Sequence, residues 1–171
     1  MATDTLLLGQ TLRFTADPFQ GDPVEATRHD SRGAVLIRDD TIAATGPADD
    51  LRHTAPDADI IDYGEALLLP GFIDAHTHYP QTAMIASWGK RLIDWLNAYT
   101  FPEETRFSDP AYAQTIAQRY LDLVIRHGTT TVASFCTSHP HSVDALFQAA
   151  APRNMALVAG KTCMDRNAPA A

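Results

Sequence analysis

The chain has 171 residues, 45% hydrophobic and 20% charged, with a formal net charge of −8. This acidic, well-mixed composition excludes the basic footprint of a nucleic-acid or anionic-membrane binder and leaves small molecules as the expected ligands. Its two cysteines, Cys136 and Cys163, form neither a disulfide framework nor a Cys-x-x-Cys zinc pattern. Both stand in apolar runs and are expected reduced and buried. No basic region precedes the short run Leu6-Leu7-Leu8, and no stretch approaches the roughly 20 apolar residues of a membrane helix. The expected location is the cytoplasm.

Residues 1–68 read as a small β unit. Residues 5–8 and 11–14 are strand pieces around Gly9, and 17–23 form a Pro/Gly/Asp loop. Residues 34–38 and 41–45 are the arms of a hairpin turning at Asp39-Asp40, where the second Asp must accept a left-handed backbone. Residues 48–52 read as a helical turn and 60–63 as another strand. His29 and His53 fall among charges and are expected in solvated loops. Nothing in this unit looks catalytic, so it reads as scaffold.

From residue 69 to 171 the rhythm becomes strand, helix, strand. A helix is expected over 90–99, with Leu92, Leu96 and Tyr99 on one face, ended by Phe101-Pro102. The clearest helix follows, with Asp109 as N-cap, Pro110 in its first turn and Gly128 beyond its end. Ile116, Tyr120, Leu123 and Val124 form its stripe, and His127 complements its dipole. Residues 129–136 and 156–163 are expected as buried parallel strands. Between them, residues 142–150 form a helix capped by Ser142.

Strand–helix units in series imply a parallel sheet with right-handed crossovers, an α/β architecture. A closed (β/α)8 barrel takes about 250 residues, and the residues after 68 hold about three units. Two forms remain: a small open sheet, or the first part of an incomplete TIM barrel. The chain stops directly after a strand, which favours the second.

The most informative run is Pro70-Gly71-Phe72-Ile73-Asp74-Ala75-His76-Thr77-His78. Strand alternation would put Asp74, His76 and His78 on one face at a C-terminal strand end. Two imidazoles so placed can hold one divalent metal at roughly 2.0–2.1 Å per Zn–N bond; the bland alternative is a pair of hydrogen-bonded core histidines. Asp74 reads as an orienting partner rather than a ligand. His139-Pro140-His141 repeats the spacing, but Pro140 breaks the alternation. His139 is a candidate for the mouth of a site, and His141 is expected in solvent. Lys161 would be a charge in a buried strand, needing a partner such as Asp165.

The run 70–78, together with the hairpin 33–46, resembles the amidohydrolase superfamily. His78-Tyr79-Pro80-Gln81-Thr82, Trp95-Leu96-Asn97-Ala98-Tyr99-Thr100-Phe101-Pro102 and Lys161-Thr162-Cys163-Met164-Asp165-Arg166-Asn167 narrow the resemblance to the guanine deaminase family. The resemblance implies a metal-dependent (β/α)8 TIM barrel preceded by a small β-sandwich, of which residues 69–171 would be the first three units. It implies hydrolysis of guanine to xanthine and ammonia with one Zn²⁺ per subunit, and a homodimer. His76 and His78 would be two of the metal ligands. Gln81 would contact the purine, with His78, Tyr79 and Pro80 shaping the wall around it. The remaining ligands and the proton-handling glutamate belong to later strands, so no catalytic residue is assigned here and residues 1–171 alone are expected to be inactive. The alternatives are another amidohydrolase acting on a cyclic amide or a halogenated or aminated heterocycle, and a non-catalytic metal-binding module.

Overall fold

Leu6 and Leu8 alternate with more exposed neighbours along β1 (Thr5–Phe14). In the computed structural model, which describes residues 4–164, β1 lies inside a four-stranded sheet. Its partners are β2 (Thr27–Arg38), β3 (Thr41–Pro47) and β4 (Asp59–Leu68), in the order β3-β2-β1-β4. Antiparallel pairing sets Leu6 opposite Leu36 and Leu8 opposite Ala34, which gathers four buried residues into one cluster. The helix α1 (Ala48–Thr54) adds Leu51, and Ala55 follows it into the same cluster. The two expected strand pieces are one strand with a pairing irregularity between Gly9 and Thr11. At the hairpin tip both Asp39 (φ 48°) and Asp40 (φ 61°) are left-handed, the conformation a two-residue type I′ turn requires.

His29 and His53 are both exposed, as expected, but neither lies in a loop. Strand β2 begins at Thr27, so His29 is a strand residue opposite Leu12, with Nε2 3.1 Å from Gln10 Oε1. The run Arg28 to Arg32 carries no hydrophobic alternation; strand pairing and the Arg13–Asp30 ion pair at 2.9 Å hold it instead. His53 lies in α1, with Nδ1 2.6 Å from the Asp49 carbonyl oxygen.

Met1–Pro70 and Gly71–Ala171 are separate compact units. The second opens with β5 (Phe72–His78) and a 3₁₀ segment, Tyr79–Met84. After α2 (Leu92–Trp95) come a π-helical stretch, Leu96–Thr100, then α3 (Phe101–Thr105) and a 3₁₀ turn, Arg106–Ser108. Helix therefore continues past Phe101-Pro102, contrary to expectation. The wider π turn ahead of Pro102 accommodates the missing N–H and the ring that would clash in a regular helix. The expected stripe is not buried: Leu92 is 71% exposed and Tyr99 39%.

The helix α4 (Pro110–Arg126) follows the expected signals. Asp109 Oδ1 accepts the Ala111 N–H at 2.9 Å, and Gly128 turns the chain at φ +84°. His127 Nδ1 lies 2.8 Å from the Leu123 carbonyl oxygen, a contact suited to a helix C-terminus. The chain then forms β6 (Thr129–Phe135), α5 (Pro140–Ala150) and β7 (Ala156–Gly160). Helix α5 starts two residues earlier than expected, at Pro140, with His139 as its N-cap. Ser142 braces the preceding loop instead: its Oγ donates to the His139 carbonyl at 2.7 Å and accepts the Thr137 N–H at 3.2 Å.

The strands pair in parallel in the order β5-β6-β7. Tyr79, Phe107, Ile116, Tyr120, Leu121, Val132 and Leu146 form one buried core joining the sheet to α4 and α5. Sequential strand order is the order of a barrel; a doubly wound sheet reverses at a switch point. The side chains of β6 and β7 that alternate away from the core are open: Phe135 is 46% exposed and Val158 70%. These strands are therefore buried on one side only, not on both as expected. Cys136 is buried as expected, whereas Cys163 is exposed. Lys161 follows the end of β7 and is exposed, so it needs no buried counter-charge; the proposed partner Asp165 lies outside the described residues.

Gly71 leads into β5 against Thr130. A Cβ at this position would lie 2.2 Å from Thr130 Oγ1 and 2.7 Å from its Cβ, so the collision reaches the branch point and not just a flexible tip. Gly71→Ala is expected to destabilise the protein by about 1–3 kcal/mol, read as a lower thermal midpoint.

Candidate active site

The C-terminal end of β5 is built by a bulge and a ring stack. Asp74 pairs with Val132 and Thr77 with Ser134, so β5 carries one extra residue between them. The bulge interrupts strand alternation at Ala75 and His76. The Asp74 side chain reaches forward along the chain, and its Oδ1 accepts the His76 backbone N–H at 3.1 Å. The expected shared row of three side chains is thus corrected: Asp74 fixes the His76 backbone instead of standing beside the imidazoles. Both imidazoles meet Phe135, the last residue of β6 and the partner of His78 in the pairing. Phe135 stacks on His78 at 4.8 Å between ring centroids and meets His76 edge-on at 5.5 Å.

The His76 and His78 ring centroids are 5.3 Å apart with planes inclined by 71°. Two imidazoles on one tetrahedral ion would stand with centroids about 5 Å apart, given Zn–N bonds of about 2 Å. The pair fits that spacing. Burial, with the neighbouring His76 as a smaller influence, pushes the His78 pKa down and favours the neutral ring that a metal requires. Among the described residues no group of three or more His, Cys, Asp or Glu side chains is placed to hold a metal. These two imidazoles could therefore furnish part of a coordination sphere.

Directly after His78 the chain is pinned. The Tyr79 N–H donates to Ser134 Oγ at 3.1 Å, and its hydroxyl donates to the Ser142 carbonyl at 2.5 Å. Its ring is fully buried and meets Phe107 edge-on at 5.4 Å. Burial drives the hydroxyl pKa well above the ordinary phenol value. Pro80 is fully buried as well. Tyr79 and Pro80 are therefore core residues and not the cavity wall that the sequence suggested, because an apolar ring with one hydroxyl gains more from the core and a carbonyl partner than from solvent.

Gln81, two residues on, reaches the surface of a cavity of about 430 Å³ whose lining includes Thr77, His78, Met84, Trp95 and Tyr120. The Trp95 indole N–H donates to the Ser87 carbonyl at 3.1 Å and ties α2 to the loop beside the cavity. Sequence reasoning missed Glu104, which lies half-buried on α3, the helix packed against the Tyr79–Met84 segment. Its signal was present in Phe101-Pro102-Glu103-Glu104, but that run was read as a helix end. His139 and His141 form a separate stacked pair at 5.6 Å. His141 bonds the Phe107 carbonyl and is half-buried, which corrects its expected exposure.

A model described as the amidohydrolase family matches residues 67–170. The chain belongs to the amidohydrolase family. Residues 33–58 also match an imidazolonepropionase-like composite domain of bacteria. A guanine deaminase of Escherichia coli K12 is 43% identical over 145 residues, covering 84% of this chain and 33% of that protein. The crystal structure of guanine deaminase from Bradyrhizobium japonicum superposes with a TM-score of 0.86 at 36% identity, covering 98% of this chain and 37% of the other. The guanine deaminase of C. acetobutylicum, with guanine bound in its active site, gives a TM-score of 0.77 at 28% identity, covering 98% and 38%. The chain spans about a third of the length of these relatives. As an amidohydrolase, its sheet of β5, β6 and β7 is part of a TIM barrel, present here incompletely. Family membership also implies a metal cofactor.

Tyr79→Phe separates core from wall. Loss of the bond to the Ser142 carbonyl is expected to cost about 1–2 kcal/mol of stability in denaturant melts. Ligand affinity should stay unchanged, because the ring does not reach the cavity.

Proposed function

We propose that the complete protein containing this chain catalyses the zinc-dependent hydrolytic deamination of guanine to xanthine and ammonia. The observation that carries this reading is the grouping at the end of β5: His76 and His78 form a ligand-spaced pair, and His78 and Gln81 line one cavity. A volume of about 430 Å³ falls within the range of small-molecule pockets. The similarity to guanine deaminases, one of them with guanine bound, supports the choice of substrate.

The chain's own residues would act as follows. His76 and His78 hold the ion as two of its ligands, with one ion per subunit. When bound, zinc supplies hydroxide at neutral pH by lowering the pKa of its water to about 7. The Phe135 stack fixes the plane of the His78 ring, and the Asp74 bond fixes the His76 backbone. Gln81 offers its amide to the edge of the purine. Met84, Ile85 and Trp95 supply apolar wall around the ring. In this reading the protein is a cytoplasmic homodimer, binding neither nucleic acid nor membrane; among the described residues no helix is long and apolar enough to cross a bilayer.

The match of residues 33–58 to an imidazolonepropionase-like domain favours a second reading, hydrolysis of a cyclic amide. It falls in the unit that carries none of the site residues, so it bears less on the chemistry than the β5 end does. Supplying the zinc-loaded complete gene product with guanine and following xanthine by absorbance separates the two readings. Turnover of a cyclic amide without turnover of guanine would sink the first.

Two further outcomes are expected. His76→Ala or His78→Ala should lower kcat/KM for guanine by at least about a hundredfold, with zinc content falling in parallel, since loss of even an outer partner costs 10–100-fold. Residues 1–171 expressed alone should show no guanine turnover; a measurable rate would overturn the assignment of the remaining ligands to other parts of the protein.

A further inference from the structure

The cavity beside His78 has one wall built under strain. The Ser87 N–H donates to the Met84 carbonyl at 3.0 Å, Ile85 sits at φ −50° and ψ 135°, and Ala86 at φ +66°. These values make Met84–Ser87 a type II turn, with Ala86 at the position that asks for glycine. A left-handed backbone brings Cβ too close to the following carbonyl oxygen. Among the described residues the other non-glycines with positive φ are Asp39, Asp40 and Asn154, types whose short polar side chains make that conformation tolerable. Ala86 has no such side chain. Met84, Ile85, Ala86 and Ser87 all line the cavity that His78 and Gln81 also line.

Such strain persists only where the surroundings over-determine the backbone. Here Trp95, which lines the same cavity, does so. Its indole N–H donates to the Ser87 carbonyl at 3.1 Å, directly after the strained residue. The return leg of the loop lies flush on it as well: a Cβ on Gly89 would collide with Trp95 Cβ and stand 3.0 Å from its Cα. Trp95 is itself held in α2, where its backbone N–H donates to the Arg91 carbonyl at 3.0 Å. We propose that Trp95 is a positioning residue that holds the Met84–Ser87 turn in its strained shape, and that this turn is a rigid wall setting how tightly the cavity grips a flat ring. The ring class, a purine, rests on the guanine reading above; the grip of Trp95 on the turn does not.

Stability and binding then respond in opposite directions to one substitution. Ala86→Gly relieves the left-handed residue, so in the zinc-loaded complete gene product it is expected to keep or raise the thermal midpoint. The same variant should raise KM for guanine about fivefold and leave kcat within about twofold, the pattern of lost uniform binding. Trp95→Phe keeps a ring in place and removes the indole donor. It should raise KM by a similar factor, about fivefold, the worth of one hydrogen bond. Because both substitutions act through one turn, the double variant should match either single one and not show the product of the two effects.

A second readout does not depend on turnover. Lys90 and Arg91 stand exposed at the end of this loop and are sites for trypsin. In Trp95→Phe, cleavage after Lys90, followed by mass spectrometry, should run about fivefold faster than in the wild type, because cleavage tracks the population of the opened loop. An unchanged cleavage rate would overturn the proposal. So would an unchanged KM or a lowered thermal midpoint in Ala86→Gly, or effects that multiply in the double variant. A Trp95→Phe midpoint lower by more than about 5 °C would also overturn it, by marking Trp95 as a general fold residue. If the wild-type protein turns over no guanine, the functional reading fails and the cleavage rates alone decide whether Trp95 holds the turn.

Discussion

Tyr79 holds the site together. Its N–H is fixed by Ser134 on β6, its hydroxyl by the Ser142 carbonyl in α5, and its ring by Phe107. The residue before it is a candidate ligand, and the residue two after it lines the cavity. A few backbone atoms therefore separate a core anchor from both functional groups. The anchor works because each polar atom of a fully buried tyrosine has a partner, so its burial carries no desolvation penalty left unmet. Ser142 serves the anchor twice: it provides the accepting carbonyl, and its hydroxyl shapes the loop from Thr137 to His139.

Around the anchor the second unit keeps two distinct sides. One carries α4, α5 and a continuous apolar core. The other leaves Phe135 and Val158 open and gathers the two imidazoles at the strand ends. This division fits a barrel wall, with helices outside and chemistry at the C-terminal ends of the strands. The segment between β5 and α4 departs from regular helix at Leu96–Thr100, and there it brings α3 against the Tyr79–Met84 segment. A regular helix through Pro102 would have been broken or kinked at that point.

Much of this was legible in the residues. Asp109, Pro110 and Gly128 mark α4 through local backbone chemistry that needs no tertiary knowledge. Asp39-Asp40 marks the hairpin for the same reason. The paired histidines were legible as a motif, but their geometry was not, because a bulge in β5 depends on the register of β6. Tyr79 read as wall and proved to be core, since adjacency in sequence to a ligand says nothing of which side a ring takes. The strand at His29 was hidden because its pairing, rather than hydrophobic alternation, holds it in place. Glu104 was hidden by a rule that usually works: proline ends helices, except where a wider turn makes room.

The anchoring bonds also set a kinetic order. Tyr79 reaches Ser134 across 55 residues and Ser142 across 63. Closing loops of that length is entropically slow compared with forming α4 or α5 locally. The folded positions of the histidine pair and Gln81 thus depend on closing both long loops. Until those loops close, the segment that carries the two histidines has no anchor.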